Sequence, residues 1–314
     1  VTTVDIYVQA ATRENTERSY RSALQHFEAE WGGLLPASSE TVARYLAEHA
    51  ESLAINTLQQ RLAALADWHN KHGFPDPTKS QVVRKVLKGI RTLHPAQERQ
   101  ARPIQLEQVK QVVEWLDGAI AAASARGSRS DALRYTRDRA LLLLGFWRGF
   151  RGDELVRLRV ELVDALSGEG ITCFLPQSKG DREARGRSFK APALRELCPV
   201  DAYLAWTTLA GLTEGPVFRA VDRWGNVSDT GLHINSLIPL LRTTFDAAGL
   251  AFAEQYSGHS LRRGFATWAT SNGWDLKTLM EYVGWRDVHS AMRYMESADP
   301  FADMRPPRNA VPRG

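Results

Sequence analysis

HSLRRGFATW, residues 259–268, sets His259 and Arg262 three positions apart, with helical periodicity after them. On one turn of a helix, an imidazole and a guanidinium face the same side and address the same anion. Gly258 ahead of the pair places it at a helix N-terminus, which itself attracts phosphate. A histidine buried in a core is the alternative. A metal site is disfavoured, because His259 has no partner at i+4 and His289 is remote in sequence.

Outward toward the N-terminus, GFRGDEL at 149–155 follows the apolar run LLLLGF at 141–146 and puts Arg151 at the start of a new helix, with Glu154 three residues on. Arginine offers planar donors to two phosphate oxygens, and a nearby carboxylate fixes its orientation. QSKGD carries Lys179 at the turn after an apolar strand, where a flexible ammonium can reach a groove and protonate a leaving oxygen. Arg182, Arg185, Arg187 and Lys190 make that hairpin basic, which suits phosphate contact.

Toward the C-terminus, YVGWRDVHSAMRY at 282–294 places Trp285 and Tyr294 nine positions apart across a helix break and restart. The indole N–H is a donor that does not titrate. Tyr294 is the candidate nucleophile, its phenolate favoured by surrounding arginines. Taken singly, an Arg–Glu helix pair is most often a surface pair, a hairpin lysine is most often solvated and an aromatic most often packs. The set Arg151, Lys179, His259, Arg262, Trp285 and Tyr294 draws its weight from order and spacing, since each residue supplies one requirement of phosphoryl transfer onto a tyrosine.

The 314 residues exceed one typical core, so two domains are expected. Hydrophobic content of 43% with 24% charge is that of a soluble protein, and no apolar run approaches the ~20 residues of a membrane helix. The start, VTTVDIYVQA, lacks a secretory pattern, so an intracellular, cytoplasmic protein is expected. Cys173 and Cys198, the two cysteines, are too few for a disulfide framework and suit a reducing compartment. A net charge of +4 and pI near 9.1 lean only weakly toward nucleic acid, so any footprint is local.

Residues 1–95 read as short amphipathic helices: one from Asn15 to Trp31 stopped by Gly32 and Gly33, one capped at 38–41, one through Leu58, Leu62, Leu65 and Trp68 to Gly73, and one over 81–93. The polar stretch 96–104, bracketed by Pro95 and Pro103, reads as a linker. Beyond it, 105–314 is mostly helical, with helices at 106–115 and 137–146, strands at 171–175 and 188–192 joined by a charged hairpin, and helices again from Ala202. The fold class is therefore mainly α, an all-α N-terminal domain followed by a mostly helical domain with a small antiparallel β-sheet.

Taken together, the motifs resemble the catalytic domain of the tyrosine recombinases, the phage integrase family. Trp285 in the fifth place and SGHSLR at 257–262 are closest in pattern to Cre-type members. NTERSYRSALQHF at 15–27 and the stretch 53–77 resemble that type's core-binding helices, so the likeness covers most of the chain.

The resemblance implies that Tyr294 attacks a scissile phosphate to give a 3′-phosphotyrosine and a free 5′-hydroxyl, with no metal and no cofactor. Arg151 and Arg262 would hold the non-bridging oxygens, Lys179 would protonate the 5′ oxygen and His259 would assist proton transfer. Trp285 would give a hydrogen bond and packing, with Glu154 supporting. For DNA reading it points to Arg18 and Arg21 on one helix, Asn56, Thr57, Gln60 and Arg61 on another, and His233, Asn235 and Arg242 in LHINSLIPLLRTTF, 232–245. Some of these could instead cap helices or contact phosphate.

The implied partner is double-stranded DNA with inverted-repeat sites, bound by a homotetramer that is monomeric when free and passes through a Holliday junction. A bacterial or phage-encoded, nucleoid-associated protein is expected. No separate arm-binding domain precedes residue 15, which suits a simple Cre-like system. The proline-rich tail, 297–314, departs from the Cre pattern and supports one turn of helix at most, with Phe301 and Met304 left to plug a neighbour. A type IB topoisomerase and a non-catalytic architectural DNA-binding protein are the competing readings.

Overall fold

The computed structural model describes residues 14–95, 101–176 and 186–292. The chain divides into two compact units, Val1–Arg99 and Gln100–Gly314. Both are built mainly from helices, with small antiparallel sheets in the second.

In the first unit, α1 (Glu14–Gln25) runs into a π-helical turn (His26–Glu30) and is followed by α2 (Ser39–Glu48), α3 (Ile55–Lys71) and α4 (Gln81–Leu93). The Ser38 hydroxyl accepts the Thr41 N–H at 3.2 Å and the Ser80 hydroxyl accepts the Val83 N–H at 3.4 Å, so α2 and α4 start on side-chain caps. α1 packs on α3 and α2 on α4 around Phe27, Tyr45, Leu46, Leu58, Leu65, Val83 and Ile90. His69 is buried in this unit; its Nδ1–H donates to the Leu65 carbonyl (2.7 Å) and its Nε2 accepts the Ala37 N–H (2.9 Å). Both ring nitrogens are thereby used in the neutral form.

In the second unit, α5 (Leu106–Ala125) and α6 (Arg129–Arg148) pack together across a short turn, and α6 also packs on α8 (Pro199–Ala210) and α10 (Gly258–Ser271). Every residue of α6 from Ala140 to Phe146 is buried, so this helix is the spine of the unit. Between α6 and α8 lie the short α7 (Gly152–Val156) and the strands β1 (Val163–Leu166), β2 (Gly170–Leu175) and β3 (Arg187–Pro192), antiparallel in the order β1-β2-β3. A second ladder, β4 (Arg219–Val221) with β5 (Val227–Gly231), leads into α9 (Ile234–Ala247). The described part ends with α11 (Leu276–Val283) and α12 (Val288–Met292). Gly264 of α10 lies so close to Ile104 that a Cβ would strike that residue's carbonyl, so only glycine permits this approach.

α5 and α6 extend well beyond 106–115 and 137–146, and β1, β4 and β5 had no forecast. The N-terminal half of α6 was hidden because its inward face is polar. Ser130 donates to the Asp222 carbonyl (2.6 Å), Arg134 to Val221 (3.2 Å) and Arg137 to Arg219 (3.1 Å), so this half-helix bonds the β4–β5 ladder where an apolar stripe would have packed. Most of the forecast linker and hairpin, at 96–100 and 177–185, and the tail at 293–314 lie outside the described residues.

Candidate active site

Two helix C-termini frame the site. α6 ends at Gly149 (φ 57°) and α11 ends at Gly284 (φ 83°), both left-handed. Arg151 follows the first glycine by two residues and Trp285 follows the second directly. A helix leaves its last carbonyls without internal partners, and here each end serves the other. The Tyr282 hydroxyl donates to the Trp147 carbonyl at 2.8 Å, while Arg148 donates to the Tyr282 carbonyl and stacks its guanidinium 4.0 Å from that ring's centre. Arg148 also donates to the Lys190 carbonyl of β3 at 3.2 Å. Burial pushes its guanidinium below its ordinary range, with the neighbouring Tyr282 opposing that shift. No motif of the sequence marks Arg148 or Tyr282 as part of the site. The available signal was an arginine ending LLLLGFWR, a charge where the apolar pattern calls for none.

Arg151 is the N-cap residue of α7, and Glu154 in that helix binds it twice. The carboxylate accepts the Arg151 backbone N–H at 2.9 Å and its guanidinium at 2.6 Å. Oε2, the oxygen that accepts the backbone N–H, also lies 3.7 Å from Nη1 of Arg262, which is wholly buried and donates to the Gly149 carbonyl at 2.6 Å. The Arg262 guanidinium sits 4.8 Å from the centre of the Trp285 ring. One buried carboxylate thus joins both arginines and leaves the cluster a net positive charge, while a buried indole covers one face.

His259 stands exposed in the first turn of α10, with its backbone N–H donating to the Ser257 hydroxyl at 3.2 Å. The serine cap is reciprocal, since Ser260 accepts the Ser257 N–H at 2.9 Å. A Cβ on Gly258 would lie 3.7 Å from the Gly152 Cα, so the first turn of α10 meets the start of α7. Arg151, Glu154, His259, Arg262 and Trp285 are therefore carried by neighbouring chain segments. Lys179, on the connection from β2 to β3, and Tyr294, beyond α12, lie outside the described residues.

The candidate DNA-reading residues divide into two groups. Arg18, Arg21, Asn56, His233, Asn235 and Arg242 are exposed. Gln60 and Arg61 instead reach across to α1, donating to the Ser19 and Ser22 carbonyls, each at 2.9 Å, and Thr57 is half-buried. His233 caps α9 by accepting the Asn235 N–H at 3.2 Å, and Arg242 donates to the Tyr256 carbonyl at 2.9 Å. Among the described residues no cluster of His, Cys, Asp and Glu is arranged to hold a metal ion, and no helix is long and apolar enough to cross a membrane.

The model of the phage integrase family matches residues 231–300, which contain His259, Arg262, Trp285 and Tyr294. An integrase/recombinase xerD homolog of Selenomonas ruminantium is 29% identical over 305 residues, covering 94% of this chain and 85% of the relative. Recombinase cre of Escherichia phage P1 is 26% identical over 284 residues, 84% of this chain and 77% of the relative. The fold is similar to that of the Tn1549 transposon integrase in complex with transposon right end DNA, with TM-score 0.60 and 15% identity over 94% of this chain and 93% of that one.

Proposed function

We propose that the chain is a tyrosine recombinase of the phage integrase family, a site-specific recombinase cutting and rejoining double-stranded DNA through Tyr294. The observation that carries this reading is the joint hold of Glu154 on Arg151 and Arg262, with Trp285 against the second arginine. That arrangement offers fixed positive charge where a phosphate gains negative charge in the transition state.

In the proposed step the Tyr294 hydroxyl oxygen attacks phosphorus, its proton passing toward His259 or the phosphate. The bond from phosphorus to the 5′ oxygen breaks, and Lys179 gives that oxygen a proton. The products are a 3′-phosphotyrosyl ester and a 5′-hydroxyl. The ester conserves the bond, so a 5′-hydroxyl from the partner strand reverses the step and completes exchange without an energy source. Four protomers on two inverted-repeat sites, joined through a Holliday junction, are the assembly proposed, within the cytoplasm and on the nucleoid. The exposed Arg18, Arg21, Asn56, His233, Asn235 and Arg242 are the proposed DNA contacts.

A nicked suicide duplex carrying a recombination site found near the gene tests this directly. A covalent adduct on Tyr294 by mass spectrometry, lost in Tyr294→Phe while binding persists, is the expected result. Binding without any adduct would leave an architectural protein. Relaxation of supercoils with no exchange between two sites would indicate a topoisomerase.

A further inference from the structure

We propose that Arg148 and Arg187 are positioning residues for strand cleavage: together they cap the carbonyl end of α11 and so set the direction in which Trp285 and the segment leading to Tyr294 leave that helix. The inference rests on the reading of Tyr294 as nucleophile.

Three carbonyls at the end of α11 have partners. The Met280 carbonyl accepts the N–H groups of Gly284 (2.8 Å) and Trp285 (2.9 Å). The Glu281 carbonyl accepts Arg187 at 2.6 Å, and the Tyr282 carbonyl accepts Arg148. The two guanidiniums come from different places. Arg148 ends α6, three residues before Arg151, whereas Arg187 opens β3, where it pairs with Leu175 of β2. The capped end is then locked at Gly284, where a Cβ would lie 2.9 Å from the Arg187 guanidinium and φ is +83°.

Stability alone explains Arg148 poorly. It is 2% exposed, its Nε finds no partner, and it forms no ion pair with a carboxylate among the described residues. Carbonyls and the ring faces of Tyr282, Phe189 and Phe150 hold the charge. An apolar side chain would fill such a site at lower desolvation cost. What an apolar residue could not do is bridge the β3 and α11 carbonyls. The device lets β3, which follows Lys179 in the chain, hold the end of the helix that precedes the nucleophile.

The test uses the full-length protein and a nicked suicide duplex, comparing Arg148→Met and Arg187→Gln with the unaltered chain. DNA affinity, single-turnover cleavage rate and thermal midpoint are measured on each. Cleavage is expected to fall on the order of 10- to 100-fold while affinity changes less than about 3-fold. Should Arg148→Met fail to fold, the half-exposed Arg187→Gln decides by itself.

A second substrate carries sulfur in place of the bridging 5′ oxygen, so the leaving group departs without a proton from Lys179. A deficit that persists on this substrate supports action on the nucleophile side. Full recovery there would mean that the arginines act through Lys179, overturning the assignment. Affinity and stability falling in step with rate would overturn it too, as would an unchanged rate in both variants. No adduct with the unaltered protein would instead defeat the reading of Tyr294, and the clamp with it.

Discussion

Glu154 is one carboxylate shared by two guanidiniums, and its burial makes that sharing consequential. Glu154→Gln keeps the shape but removes the charge that lets Arg151 and Arg262 lie close together. Breaking a buried pair in this way costs about 3–5 kcal/mol, so a lower melting temperature and a cleavage rate reduced by at least ~10-fold are expected, read from a thermal melt and a single-turnover assay. The pairing of Arg151 with Glu154 was visible in GFRGDEL, because three-residue spacing on a helix brings such groups together. The reach of Glu154 to Arg262 was not, since no local pattern reports a contact between residues so distant in sequence. Gln60 and Arg61 lie on the expected helix, and their bonds to the α1 backbone are likewise long-range contacts that no local pattern reports.

His26 supplies a second prediction at this scale. Its ring nitrogen is held by the Tyr45 hydroxyl at 2.8 Å. Burial and the charges of Arg61 and His49 lower its pKa below the ordinary 6.5, while Glu30 raises it. Below pH 6.5 the unfolded chain takes up a proton that the folded one resists. His26 thus leaves stability undiminished above 6.5, and the loss develops as pH falls from there toward the lowered folded value. Urea midpoints of the first unit should drop between pH 7.5 and 5.5 on the order of tenths of a molar, and His26→Gln should flatten that dependence.

At the scale of elements, legibility followed the character of each buried face. α4 was forecast over its observed span, Gln81–Leu93, because Ser80 caps it and its apolar residues repeat at helical spacing. β2 stands out by its apolar run and β3 by the alternation that buries Phe189 and Ala191. β4 and β5 do not: their pairing is irregular between Arg219 and Val221, and α6 supports them through polar side chains. Arg137 and Asp138 form the buried pair in that support, 2.7 Å apart, with desolvation raising the Asp138 pKa. Arg137→Ala should therefore destabilise the second unit by about 3–5 kcal/mol. Arg137→Met with Asp138→Asn should cost less, because no charge is then left buried alone. Urea titrations of the two variants check both the direction and the order.

At the scale of the whole molecule, the two units have separate cores, one around Phe27, Tyr45 and Leu58, the other around the α6 spine. Separate cores permit separate unfolding, so a single two-state transition is not expected. The cysteines make this observable, since Cys173 and Cys198 both belong to the second unit and both are buried. Burial pushes the Cys173 thiol up to about 12, so neither exposure nor ionisation favours its reaction at pH 8 while that unit is folded. The lowered pKa of His26 is expected to cost the first unit stability as pH falls below 6.5. In urea at pH 5.5, helical signal should be lost in an early step that leaves both thiols protected from a pyridyl disulfide reagent, which reacts in mild acid. Labelling should begin only with the later step. Thiol labelling that rises together with the first loss of circular dichroism would mean that the units unfold as one.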